Sequence, residues 1–368
     1  MGKQARAVVC RELNQPVVVE TVGVESPRRD EVMVRIGACG VCHSDFSATN
    51  GTLPLPPPLV LGHEAAGVIE EVGEGVGEVA VGDPVVIAWV PMCGRCRYCT
   101  VGRPALCDVG MRTGTTLPDG THRFTDADGR ALNHFAGVGV MAEYATVHKD
   151  SVVVIDADVP LDKAALVGCA VMTGVGAALN TAKVEAGSSV VVFGAGGIGL
   201  NVIQGAALAG ADTIIAVDLE DKKLEFAQSF GATHVINPSR EGDPLSRIRE
   251  LTRGGADYGF ECIGLGATIE QTYAAICKGG TAVVVGVAGP TETVTLGAFT
   301  MPFTEKTLTG SMYGSGRPRV DFPRLISLYK ANRLKLDELV TSTYSIEEAA
   351  RAFDDMNAGI NARGVILF

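Results

Sequence analysis

Positive charge is what this chain has least of. Its 31 lysines and arginines stand against 42 aspartates and glutamates, a formal net charge of −11. That balance does not neutralise a phosphate backbone, so nucleic acid is excluded as a partner. No basic run suits an anionic lipid surface, and no membrane association is expected. Aromatic residues are also few, at 5%, with Trp89 the one tryptophan. An apolar leader is missing: Met1, Gly2 and Lys3 lead straight to Val8 and Val9, so no secretory signal is expected. Arg6 stands where a myristoylation motif requires Ser or Thr. Internal repeats and low-complexity segments are absent. Charge is missing altogether from 164–182 and 188–211, each long enough for a membrane span. Both are studded with glycine and small polar residues, and they read as the buried interior of a soluble, cytoplasmic protein. In a reducing cytosol the ten cysteines point to metal rather than disulfides.

Glycine, by contrast, is abundant at 46 residues, and 46% of the chain is apolar, mostly Val and Ala. That is the composition of a packed α/β protein with tight turns. At 368 residues the chain is long enough for two domains. Period-two alternation at 17–20 and 31–36, and further short runs at 68–72 and 84–87, predict a β-rich block over roughly the first 150 residues. Strand and helix then alternate. Strands are predicted at 189–193, 213–217, 234–236, 258–261, 281–287 and 307–311, and helices at 198–209, 222–230, 245–251 and 267–277. That order predicts a parallel sheet covered by helices on both faces. Helices at 321–331 and 346–356 and a strand at 364–368 close the chain.

Three groups of residues carry chemistry. Gly194, Gly196 and Gly199, with Gly197 and Ile198 between them, fit G-x-G-x-x-G between a predicted strand and helix. Glycines there let a pyrophosphate approach backbone N–H groups at a helix start. The next strand ends on Asp218, whose carboxylate accepts from ribose hydroxyls and repels a 2′-phosphate, so NAD is expected over NADP. Cys93, Cys96, Cys99 and Cys107 form a four-thiolate set that closes a tetrahedron and leaves no place for substrate. Structural zinc is the reading; an iron–sulfur cluster is the rival, but Cys107 is too distant and is followed by Asp108 rather than proline. Finally, Cys42, His63 and Cys169 supply two thiolates and an imidazole, a zinc set with its fourth position open. The alternative for each is a buried structural side chain, and Cys10, Cys39, Cys262 and Cys277 are read that way.

With Gly40-Val-Cys42-His43-Ser44-Asp45, Gly62-His63-Glu64, the four-cysteine run, Gly168-Cys169 and the glycine loop in place, the chain resembles the zinc-dependent alcohol dehydrogenases of the medium-chain family. The resemblance implies an α/β fold with a GroES-like, β-rich catalytic domain and a doubly wound, parallel-sheet Rossmann domain. The catalytic domain would take residues 1–172 and 313–368, and the NAD-binding domain 173–312. It implies catalytic zinc on Cys42, His63 and Cys169, with Glu64 behind it as a further metal-site residue. Asp45 would fix the His63 tautomer, and Ser44 would start a proton relay. His43 and Arg363 would face the cofactor phosphates, Thr173 and Val285, Gly286 and Val287 would lie by the nicotinamide, and Asp218 and Lys223 would bind the adenosine ribose. Two zinc ions per subunit and a homodimer, with a homotetramer as the alternative, are further implications.

The implied activity is reversible oxidation of a primary alcohol by hydride transfer to NAD. Trp89, Leu53 and Phe135 are expected to wall the pocket, which favours an apolar or aromatic substrate. The alternatives are a thiol-dependent formaldehyde dehydrogenase or dismutase and, in another class, a non-catalytic zinc- and dinucleotide-binding protein. Residues 119–124 and 133–135 resemble the glutathione-dependent class III branch. That branch carries an acid before Gly-His-Glu, yet 53–61 holds none, and Arg112 is one place out of step, so glutathione is not expected. Phe46, Ser47 and Ala48 replace the neighbourhood in which many relatives carry a relay histidine. Ser47 can pass a proton but not hold one near neutrality.

Overall fold

The computed structural model describes residues 2–368, which divide into two compact units. The first holds the residues up to Cys169 together with Arg317–Asn332 and Leu336–Phe368; the second holds Ala170–Gly316 and Arg333–Lys335.

The first unit is β-rich. Strands Lys3–Cys10, Val18–Val24, Phe124–Thr125, Ala131–His134 and Leu59–Val60 close a small barrel. Beside it in the same unit, Glu31–Gly40 is central to a sheet that also holds Ala65–Val72, Pro84–Ile87, Val152–Val154 and Tyr144–His148. The chain's last strand, Arg363–Leu367, joins this sheet antiparallel to Glu31–Gly40, placing Val365 opposite Gly40. Apolar side chains such as Val9, Met33, Leu61, Ile69 and Ile87 fill the core. Sequence patterning missed Val340–Ser345, whose Thr-Ser-Thr centre pairs only with the last strand at the sheet edge and so shows no apolar alternation. It also missed the short helix His43–Thr49.

The second unit is built on six parallel strands. They are β1 (Ser189–Phe193), β2 (Thr213–Val217), β3 (His234–Ile236), β4 (Ala256–Glu261), β5 (Ile276–Val284) and β6 (Thr307–Gly310), ordered β3-β2-β1-β4-β5-β6. Helices α1 (Gly197–Ala209), α2 (Asp221–Ser229), α3 (Pro244–Leu251) and α4 (Gly266–Ala275) connect them. This is the doubly wound order, whose ligands bind beyond the carboxyl ends of the strands. Val191, Phe193, Ile215, Val217, Ile236 and Ile248 form a core on one side of the sheet. The 267–277 expectation needs correcting: α4 stops at Ala275, and Cys277 lies in β5. The 281–287 strand likewise ends at Val284, because the amides of Val285 and Gly286 both turn to the Glu261 carbonyl, at 2.8 and 3.0 Å, and leave the ladder.

Residues 188–211 break into strand, turn and helix as expected. The other uncharged stretch lies in a continuous helical run, Leu161–Ala182, long and apolar enough to cross a membrane, and 78% of its apolar window is buried within the protein. Two π-helical stretches, Val167–Val171 and Ala177–Ala182, interrupt it.

A buried polar network in the first unit was not legible in sequence. Arg123 is fully buried and donates from Nε to Glu31 at 2.8 Å, from Nη2 to Asp119 at 2.7 Å and from Nη1 to the His122 carbonyl at 2.8 Å. Its second bond to Glu31 makes the pair bidentate. The Arg123 amide donates to His134 Nε2 at 2.9 Å, so that nitrogen is the acceptor and the ring is neutral. Burial, reinforced by His122 and Arg123, pushes His134 down to about 3. A base depressed in the folded state contributes stability that is complete above its unfolded value and is lost as pH falls. Unfolding free energy is therefore expected to drop between about pH 6.5 and 3, by up to roughly 1.4 kcal/mol per pH unit. Denaturant titrations across that range check this: His134→Gln should flatten the slope, and an unchanged slope would rule the assignment out.

Candidate active site and metal centres

Cys42 is the extended residue before helix His43–Thr49, so the helix start displays His43, Ser44 and Asp45 next to it in the chain. His43 is exposed, Ser44 half-buried and Asp45 fully buried. Asp45 does two jobs. One carboxylate oxygen accepts from the Gly62 amide at 2.8 Å, and the other lies 3.2 Å from His63 Nδ1. It thus fixes both the connection between Leu59–Val60 and Ala65–Val72 that carries His63 and the ring's orientation, leaving Nε2 to face Cys169 Sγ at 3.2 Å. Gly62, at φ +92°, has no room for a Cβ, which would overlap the Met141 amide. Cys169 lies in the first π-helical stretch, where π turns commonly serve function. Gly168 lets this turn approach the Ile87 carbonyl: a Cβ there would stand 2.7 Å away.

The ligand atoms of Cys42, His63 and Cys169 all lie within 4.8 Å of one another, and all three residues are buried. Two sulfurs and one imidazole at that separation fit a tetrahedral zinc with one position left over. The Cys169 thiol, with His63 and Arg363 adding, holds Cys42 well below the ordinary thiol range despite burial. Burial would lower His63, but the charges of Asp45 and Cys42 override it and hold the ring up to about 10. The lowered Cys42 thiol favours the thiolate form that a zinc ligand requires, and a metal ion held here would take His63 through its Nε2.

Glu64 does not join this set. Its carboxylate is fully buried and forms an ion pair with Arg363, itself 5% exposed. Gly40 makes room for it, since a Cβ there would stand 2.6 Å from the Glu64 oxygen. The guanidinium claims the carboxylate because a charge buried in this unit requires an opposite one. Arg363 thus has a partner within the first unit that sequence reading had not found. Trp89 and Phe135 both meet the His63 ring edge-on, at 6.1 and 5.1 Å between centroids. Leu53 packs, half-buried, against the first unit's core.

The four cysteines of the second cluster also converge, with Cys93, Cys96, Cys99 and Cys107 sulfurs within 4.8 Å of one another. Backbone amides of Cys93, Cys96 and Cys99 point at neighbouring sulfurs at 3.4–3.5 Å, a pattern suited to thiolates around a metal. Chain and geometry together make a closed four-sulfur site.

In the second unit the glycine loop joins β1 to α1. Gly194 takes φ +91°, and a Cβ on Gly199 would overlap the Gly194 carbonyl, so loop and helix pack as closely as the fingerprint requires. Gly196 caps α1 and has nothing within 4 Å of its absent side chain, leaving the backbone of Gly197 and Ile198 approachable. Asp218 follows β2. One of its oxygens accepts from the Ala195 amide at 2.8 Å and the other from Glu220 at 3.1 Å. Lys223 pairs with Glu220 at 2.8 Å. Thr173 is half-buried on the helix Met172–Gly176. Val285 is buried and Val287 64% exposed in the turn after β5.

Two family models match the chain: an alcohol dehydrogenase GroES-like domain over residues 28–157 and a zinc-binding dehydrogenase domain over 197–331. The chain belongs to the medium-chain, zinc-dependent alcohol dehydrogenase family. Among its relatives is alcohol dehydrogenase class-3 of Cereibacter sphaeroides, 40% identical over 99% of this chain and 100% of the relative. S-(hydroxymethyl)glutathione dehydrogenase of Paracoccus denitrificans is 39% identical, again over 99% and 100%. The crystal structure of benzyl alcohol dehydrogenase from Acinetobacter calcoaceticus superposes with a TM-score of 0.92, at 34% identity over 100% of this chain and 99% of that one. Family membership makes the protein an oxidoreductase and accounts for both cysteine-rich sets and for the GroES-like and Rossmann architecture seen in the two units.

Proposed function

We propose that this dehydrogenase oxidises a primary alcohol of apolar or aromatic type to its aldehyde, reversibly, with NAD as hydride acceptor. The observation that carries the substrate class is the edge-on placement of Trp89 and Phe135 against His63, which sets aromatic surface beside the three-donor set. The likeness to a benzyl alcohol dehydrogenase supports it. Cys42, His63 and Cys169 would hold the zinc, whose Lewis acidity lowers the pKa of an alcohol hydroxyl. Asp45 keeps the His63 ring from turning. Ser44 would take the hydroxyl proton outward, with Ser47 on the same helix as the next hydroxyl. A second zinc on Cys93, Cys96, Cys99 and Cys107 would staple its loop and play no part in the reaction. His43 and Arg363 would meet the cofactor phosphates, Arg363 while still paired with Glu64, and Thr173 and Val285, Gly286 and Val287 would meet the nicotinamide.

The test is a panel of aliphatic and aromatic alcohols with NAD and NADP, alongside formaldehyde plus glutathione. Benzyl-type alcohols with NAD are expected to give the largest kcat/KM. Turnover confined to the thiol–formaldehyde adduct would favour the class III reading, which the named relatives support and the lack of an acid in 53–61 opposes. No turnover at all in zinc-loaded protein would leave a binding protein.

Asp218→Ala is expected to weaken NAD and relax the preference over NADP by roughly tenfold, by removing the group that repels a 2′-phosphate. Because Asp218 also holds the Ala195 amide, NAD affinity should fall as well. Steady-state kinetics with both cofactors would show this, and an unaltered ratio of kcat/KM would exclude the role. Lys223, placed beside Glu220, would reach the same ribose.

The occupant of the exposed β6 edge would be a second copy of the chain. β6 has one neighbour in the sheet, and Phe299 and Phe303 before it are 82% and 67% exposed with ring centroids 5.3 Å apart. A strand with one unpaired edge and apolar rings beside it favours self-association. Light scattering should give a dimer, and Phe299→Glu with Phe303→Glu should shift it to monomer; a monomeric wild type would sink the proposal. A cytoplasmic location is the reading that ten cysteines without a disulfide support.

A further inference from the structure

Glu261 is the last residue of β4 and is fully buried in the second unit. In the sheet it stands opposite Phe193 of β1, the residue before the glycine loop, and opposite Val284 of β5. Its backbone carbonyl accepts from Val285 and Gly286, the turn after β5, at 2.8 and 3.0 Å. One carboxyl oxygen accepts from the amides of Ile263 and Gly264, at 2.9 and 2.7 Å, and from the Thr268 hydroxyl at 2.7 Å. Among the described residues the other carboxyl oxygen, Oε2, has no hydrogen-bond partner. It faces Gly286, where a Cβ would stand 2.8 Å from it. No cation pairs with this carboxyl among the described residues.

Burying a carboxyl group without a counter-charge is unfavourable, so the group contributes little to stability as such. What it imposes is geometry. Its backbone carbonyl holds two amides of the turn after β5, and one oxygen of its carboxyl group holds two amides of the turn after β4 and the Thr268 hydroxyl at the start of α4. The turn after β4 presses on the glycine loop: the Ile263 side chain lies where a Gly194 Cβ would be 2.7 Å away, and the Cys262 amide donates to the Phe193 carbonyl at 2.9 Å. Ile263 itself remains 46% exposed, an apolar surface held at the carboxyl end of the sheet.

We infer that Glu261 is a positioning residue of the dinucleotide site, its carboxyl group holding the turn after β4 in the form that receives the cofactor against the glycine loop. The inference rests on the reading that this loop binds NAD. Fluorescence titration of the full, zinc-loaded chain with NADH tests both. Glu261→Ala is expected to raise the Kd for NADH about tenfold or more, measured well below the variant's own Tm, and to raise the KM for NAD by more than it lowers kcat. Glu261→Gln keeps an acceptor for the three donors and should stay within about threefold of wild type, while Thr268→Val, which removes one half-buried donor, should raise Kd roughly two- to fivefold. Folded Glu261→Ala that binds NADH like wild type would overturn the inference, as would Gln binding no better than Ala. Should Ala not fold, an unchanged Kd in Thr268→Val does the same. Wild type that binds neither NADH nor NADPH overturns the NAD reading itself, and this inference with it.

Discussion

Replacing Cys42 with alanine is expected to lower alcohol turnover by roughly a thousandfold or more, because the Lewis acid contributes several kcal/mol to the barrier and each 1.4 kcal/mol is tenfold. The protein should nonetheless stay folded. Cys42 sits at a helix start rather than inside a strand ladder, and losing one small side chain leaves the bonds of Asp45 to Gly62 and His63 in place. Metal analysis should fall from two zinc ions per chain to one, since the two donor groups share no residue. NADH binding should persist, because the glycine loop lies in the other unit. The three readings separate the site from the fold: turnover within tenfold of wild type, or an unchanged zinc content, would defeat the assignment of Cys42 as a ligand. The corresponding Cys96→Ala change is instead expected to remove the other zinc and to loosen the segment it ties.

The second large effect concerns stability. Arg123→Met would strand Glu31, which is 3% exposed and buried 92 residues away in sequence from its partner. Removing one member of such a pair costs about 3–5 kcal/mol, which for a unit of this size is a fall of roughly 6–20 °C in Tm. The Arg28 amide also donates to Glu31, at 2.9 Å, so the double change Glu31→Gln with Arg123→Met keeps an acceptor there while removing the stranded charge. It is expected to be more stable than Arg123→Met alone. Thermal unfolding of the three proteins decides the matter: a single variant within about 1 kcal/mol of wild type, or a double variant no better than the single, would show that the pair does not anchor this unit. The consequence for function runs through His134, which receives the Arg123 amide, to Phe135 against the metal-site histidine. If aromatic alcohols are the substrates, as proposed above, a loosened network should raise their KM before it lowers kcat.

The features legible in the sequence are those whose physics is local. Four cysteines within fifteen residues can reach one ion whatever the rest of the chain does, as Cys93 to Cys107 do. A strand, a glycine turn and a helix in succession must place Gly194, Gly196 and Gly199 at a helix N-terminus, and strand alternating with helix fixes a parallel sheet. Residue chemistry and motif resemblance also marked Cys42, His63 and Cys169, though only folding brings their ligand atoms within 4.8 Å.

Tertiary structure alone decided where the buried charges go. It gave Glu64 to Arg363, Arg123 to Glu31 and the turn after β4 to the Glu261 carboxyl, and it turned one oxygen of half-buried Asp218 to the Ala195 amide. None of these follows from periodicity, because a burial pattern records that a side chain is inside and not which partner meets it there. Apolar packing is non-directional and tolerant, so its pattern survives in the sequence; a buried carboxylate must be satisfied by particular donors, and those are selected by distances that exist only once the chain has folded.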